Sequence, residues 1–339
     1  MPLEIIWYLV IMLSLICYAM LDGFDLGVGI LHPFARNDTA RRIFLNAIGP
    51  VWDGNEVWLV IVVGALFAGF PDVYATIFSA FYIPVMILLM GLIFRAVSIE
   101  FRSKRESPKW RESWDILFAI GSLVISFGIG VVLGNLIEGL PLDADHYYTG
   151  TFSDFLTPFA LLVGVTTVAL FTMHGAIFLV MKTEGMLHDQ IRRWIPRTIV
   201  FFIVMYLAVT IVTLVDKPYM IAPMQKYPVM YLIPLIALIA IISVPFLMKK
   251  KKDGWAFLSS CISIFFLLSL AAIGTFPYMV RSTTDTDTNS LTIFNSASSP
   301  LTLKVLVIIV AIGVPLVFAY GFYIYRIFRG KVEIDVSSY

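Results

Sequence analysis

The sequence predicts an all-α integral membrane protein of nine transmembrane helices, on three observations. Of 339 residues, 59% are hydrophobic and 14% charged, where ordinary globular chains carry roughly 25% charged residues. Nine separate stretches are long and apolar enough to cross a bilayer, which takes about 20 residues each. Twenty of the 24 lysines and arginines fall on one set of alternating loops and span ends, the bias expected of cytoplasmic loops. So few charges could not solvate a water-exposed surface of this size, which excludes a soluble enzyme or a disordered regulator. A net charge of +1 gives no basic attraction for nucleic acid.

The spans are read as 5–31, 49–70, 74–98, 114–138, 154–181, 196–216, 228–248, 255–277 and 302–327. Only Met-Pro-Leu-Glu precedes the first, with no basic n-region and no small-residue cleavage site, so a retained helix is expected rather than a signal peptide. No interval between spans is long enough for a soluble domain, so residues 1–339 are read as a single integral membrane domain. The basic side holds Arg36, Arg41 and Arg42, the run Arg102 to Arg111, Lys182 to Arg197, Lys249 to Lys252, and Arg326 to Lys331; the other side has Lys217, Lys226, Arg281 and Lys304. With an odd number of spans, the N-terminus is expected outside and the C-terminus in the cytoplasm. The outer loops 139–153 and 281–300 are acidic or hydroxyl-rich and read as solvated surface, while Lys249–Lys252 reads as a topology anchor against lipid headgroups. Cys17 and Cys261 both lie in apolar runs, which excludes a disulfide framework or a cysteine zinc site.

The first three spans carry charge that lipid would not tolerate. LDGFDLGVG places Asp22 and Asp25 inside the first, GPVWDGNEVWL places Asp53, Asn55 and Glu56 near the start of the second, and IFRAVSIEFRSK places Arg95 and Glu100 near the end of the third. At about 1.5 Å of rise per residue, Asp25, Asp53, Glu56 and Arg95 lie roughly 5 to 10 Å in from the cytoplasmic ends. Asp22–Asp25 and Asp53–Glu56 are i,i+3 pairs, each sharing one helix face. Gly23, Gly27 and Gly29 offer a face where another helix can approach closely. Four carboxylates against one intramembrane guanidinium cannot all be ionised cheaply at that depth, so at least one is expected to hold or share a proton. That is what a proton relay needs; locking helices together needs only one or two acids.

No catalytic residue, metal site or cofactor box is visible. His32 lies at a span end, His146 and His188 in loops, and His174 inside the fifth span, where it offers at most one haem ligand and is read as hydrogen-bonded to a neighbouring helix. The 14 methionines are scattered apolar filler. DGFDLGVG has close-spaced glycines but follows no strand, so a phosphate cradle is not expected. The chain alone has no visible redox centre.

The segments LDGFDLGVGIL, RNDTARRIFLNAIGPVWDGNEVWL, FRAVSIEFRSK with Trp110 and Trp114-Asp115, and SSPLTL resemble subunit II of the cytochrome bd-type quinol oxidases, most densely over residues 20–115. The resemblance implies two four-helix bundles plus a peripheral ninth helix. It implies a heterodimer with a subunit I that carries haem b, haem d and the quinol-oxidising loop, and in some members a small single-span subunit. The complex it implies sits in a bacterial or archaeal cell membrane, oxidises quinol, and reduces dioxygen to water with cytoplasmic protons. Subunit II would support the assembly and in some members hold a structural quinone. Asp22, Asp25, Asp53 and Arg95 fall on the family's charged positions. Glu56 departs from the pattern, since glutamine can occur there, as it can at His174. The resulting expectation is Asp53 as proton intake, Asp25 and Asp22 as relay, Arg95 as counter-charge, and Glu56 and Glu100 along the same path. On the residues alone, a proton-coupled secondary transporter and a purely structural assembly subunit stay open, although transporter sites usually lie nearer the midplane.

Overall fold

The computed structural model describes residues 2–333. Among them are nine helices long and apolar enough to cross a membrane: α1 (Leu3–Leu31), α2 (Trp52–Gly69), α3 (Tyr82–Phe101), α4 (Pro108–Glu138), α5 (Pro158–Lys182), α6 (Gly185–Asp216), α7 (Leu232–Lys249), α8 (Asp253–Thr275) and α9 (Pro300–Ile327). Proline opens α4, α5 and α9, where its missing N–H has no helical partner to lose. Thr157 caps α5 by accepting from the Ala160 N–H at 3.0 Å, and Asn37 does the same at 2.8 Å from Ala40 for a short surface helix, Asp38–Ile48.

Two boundaries differ most from the sequence expectation, each for a reason, and the fourth span also begins earlier than expected, at Pro108 rather than 114. The stretch 74–98 is not one helix: Pro71–Ala80 forms a separate short helix and α3 starts at Tyr82. Phe70 precedes a proline and takes a non-helical backbone, with φ −137° and ψ 69°, and Pro84 cannot donate to the carbonyl four residues back, which breaks the helix at Phe81. The sixth span starts at Gly185 rather than 196, because the basic segment ahead of Pro196 is helical and tied down: Arg192 donates to both Asp253 oxygens, at 2.6 and 2.7 Å.

α5 is the most enclosed helix, packed by α1, α4, α6 and α8. It crosses α1 at Gly27 and Gly175, where a Cβ on Gly27 would fall 1.9 Å from the Phe171 carbonyl oxygen; only glycine allows that approach. α7 lies on α8, and α9 lies against α1 and α2 with only Leu303 of its described residues buried. The loops at the lysine-poor end fold on one another. A short antiparallel pair, β1 (Tyr278–Val280) and β2 (Leu291–Thr292), sits beside Leu140, whose N–H donates to Arg281 O at 2.8 Å.

Candidate functional site

The buried stripe of α2 runs through Asn55, Trp58, Val62, Ala65, Leu66 and Gly69. At about 100° per residue, Glu56 sits to one side of Asn55 and Asp53 about 160° away from it. This sorting decides which charges meet. Asp22 and Asp25 of α1 and Arg95 of α3 are fully buried. Arg95 donates from Nη2 to Asp22 Oδ1 at 2.6 Å and from Nη1 to Glu56 Oε2 at 3.4 Å, with Asp25 Oδ2 3.9 Å from Nη2. Asn55 donates from Nδ2 to Asp25 Oδ2 at 2.7 Å and to the Leu21 carbonyl at 3.2 Å. The Tyr325 hydroxyl of α9 donates to Asn55 Oδ1 at 2.9 Å. Tyr18 lies beside Asp22.

One guanidinium therefore serves three carboxylates. Asp22 Oδ2, Asp25 Oδ1 and Arg95 Nε are buried and have no hydrogen-bond partner among the described residues. A buried acceptor left unpaired costs about 1–3 kcal/mol, and a proton on a carboxyl oxygen removes the larger penalty of an uncompensated charge. The arrangement is suited to holding a proton on either aspartate.

Of the six expected path residues, Asp22, Asp25, Glu56 and Arg95 meet directly. Asp53 is exposed on the first turn of α2, within electrostatic reach of Glu56, and Glu100 is exposed near the end of α3. The sequence did not single out Tyr325 or the bridging role of Asn55.

A second charged cluster also went unforeseen. Asp115 accepts at Oδ1 from Arg102 Nε and lies against His32 Nε2, both at 2.5 Å, and accepts at Oδ2 from Arg41 Nη1 at 3.0 Å and Arg102 Nη2 at 3.2 Å. Asp38 takes Arg102 Nη2 at 2.8 Å and Arg111 Nη1 at 2.9 Å.

Residues 3–328 match the family described as cytochrome bd terminal oxidase subunit II. The chain belongs to that family. The cytochrome bd-I ubiquinol oxidase subunit 2 of Escherichia coli K12 is 35% identical over 372 residues, covering 99% of this chain and 98% of the relative. The cytochrome bd ubiquinol oxidase subunit 2 of Bacillus subtilis is 32% identical over 330 residues, covering 97% and 96%. The solved bd oxidase of Geobacillus thermodenitrificans shares the fold, with a TM-score of 0.80 at 19% identity over 97% of this chain and 99% of that one. As a bd oxidase subunit II, the chain is part of an oxidoreductase complex.

In this bd subunit, His174 Nε2 donates to Met20 O at 3.0 Å and Nδ1 lies 2.7 Å from Ser260 Oγ. Both ring nitrogens are engaged, so this side chain does not fit a haem axial ligand. An apolar cavity of about 550 Å³ is lined by side chains such as Leu15, Leu59, Phe81, Leu133 and Phe171, with Tyr18 and Glu56 in its wall. Its volume and lining fit an apolar ring and tail.

Proposed function

We propose that this chain is the non-haem subunit II of an electrogenic bd-type quinol:dioxygen oxidoreductase in an aerobic respiratory chain. In this reading it supports a haem-bearing subunit I in the cell membrane and supplies cytoplasmic protons for reduction of dioxygen to water. The single observation that carries it is Arg95 with three carboxylates around it, two of them presenting unpaired buried oxygens. The lysine and arginine bias supports an outer N-terminus and a cytoplasmic C-terminus. Spans 1–4 and 5–8 form the two bundles, with α9 peripheral, in one integral domain. Haems b and d belong to subunit I and supply the electron transfer to dioxygen. A structural quinone, where one is held, fits the apolar cavity, and a small single-span subunit would complete some assemblies.

Asp53 takes a proton at the cytoplasmic surface, and Glu56 stands beside the route on α2 without being an obligatory carrier. Arg95 holds Glu56 and Asp22 directly, and Asp25 stands behind with one oxygen on Asn55. Glu100 contributes negative charge at the mouth. Asp53→Asn is expected to lower haem-normalised oxygen consumption with the haem spectrum intact. Unchanged turnover removes the intake role. Loss of partner and haem together favours a purely structural assembly subunit. Solute uptake by vesicles holding this chain alone favours a proton-coupled transporter.

A further inference from the structure

Asp25 has a second neighbour route that does not involve Asp53. Its Oδ2 is held by Asn55, and Asn55 in turn accepts from Tyr325 on α9. Tyr325 also lines a polar cavity of about 350 Å³ at the arginine- and lysine-rich end, together with Asn46, Lys182, Arg329 and Lys331. The phenol thus stands between that cavity and the amide on Asp25. The Tyr325 ring is half-buried against the core, and its hydroxyl adds to that packing a directional tie to the Asn55 amide.

The chemistry of the amide gives Tyr325 its importance. A carboxamide has two N–H donors and one carbonyl acceptor. Both observed donor contacts of Asn55 go to acceptors, Asp25 Oδ2 and Leu21 O, so the carbonyl must face a donor, and Tyr325 is that donor. Remove the hydroxyl and a buried carbonyl is left unpaired; the amide then turns or draws in water, and Asp25 loses its fixed orientation.

We propose that Tyr325 is a positioning residue for proton delivery: acting through Asn55, it holds Asp25 so that the proton is received on Oδ1. That oxygen is the one without a partner, and the proton leaves from the same oxygen toward subunit I. This inference rests on the proton-supply reading above.

The test uses the purified two-subunit complex. Reduced enzyme is mixed with dioxygen in the presence of a pH-indicator dye, and proton uptake per haem is followed through one turnover. Tyr325→Phe is expected to slow uptake and kcat about three- to tenfold, the range one lost hydrogen bond spans, with quinol KM and the haem spectrum unchanged. Asn55→Leu slows it equally, and the double variant is no slower than Asn55→Leu alone, because both remove one linked unit. Slowing that multiplies in the double variant overturns the inference. So does a Tyr325→Phe complex assembled in lower yield but with normal uptake per haem. Normal uptake in Tyr325→Phe with slow uptake in Asp25→Asn overturns it and leaves the proton-supply reading standing. Normal uptake in Asp25→Asn as well removes that reading itself.

Discussion

Two charged clusters lie at the basic end of the molecule with opposite stoichiometry. Around Arg95, three acids share one cation and two carboxyl oxygens are left open. Around Asp115, one acid lies under two arginines and a histidine, and both of its oxygens accept. A carboxylate whose two oxygens are held by two arginines and a histidine is a lock, because protonating it would break the charge-assisted bonds to both guanidinium groups. A carboxyl with an open oxygen and a shared counter-charge can change protonation with little rearrangement. The same residue types thus hold structure in one cluster and, in the other, leave a carboxyl free to change protonation, as the proposed proton supply requires.

The comparison can be broken at several points. The largest effect is expected for Arg95→Leu, which leaves acids buried without their cation. A loss of about 3–5 kcal/mol in thermal or denaturant stability is expected, read as failure to assemble with subunit I. Asp115→Asn should fall near the lower end of that range, about 3 kcal/mol, because Arg102 keeps Asp38; yield of assembled complex drops while turnover per haem holds. Asp25→Asn reverses the pattern. Its amide keeps the shape and an acceptor for Asn55, so melting barely moves, while oxygen consumption per haem falls about tenfold or more, some 1.4 kcal/mol in the barrier. Glu56→Gln is the smallest, under about threefold in turnover, since its pair with Arg95 is long at 3.4 Å and partly exposed.

The nine spans were legible because lipid demands long apolar runs and the loops between them carry a one-sided charge. Asp22, Asp25 and Arg95 were legible because intramembrane charge is rare enough to draw attention. The break at Phe81 was not, since the apolar run continues across it and Pro84 alone interrupts the hydrogen bonding. Asp53 and Glu56 share a face by spacing, yet the packed side of α2 is centred on Asn55, which turns one inward and the other out; only the neighbouring helices decide that. Tyr325 reads as an ordinary aromatic at a membrane boundary, where tyrosine is common. The Asp115 cluster draws on four separate stretches, around His32, Asp38 and Arg41, Arg102, and Arg111 with Asp115, each of which alone reads as surface charge at a span end.

The most direct test compares single-turnover proton uptake per haem in complexes carrying Asp25→Asn and Asp115→Asn. Slow uptake in Asp25→Asn with normal uptake in whatever Asp115→Asn complex assembles is the expected result. Equal slowing in both, or normal uptake in both, would contradict the division into a proton-holding layer and a lock.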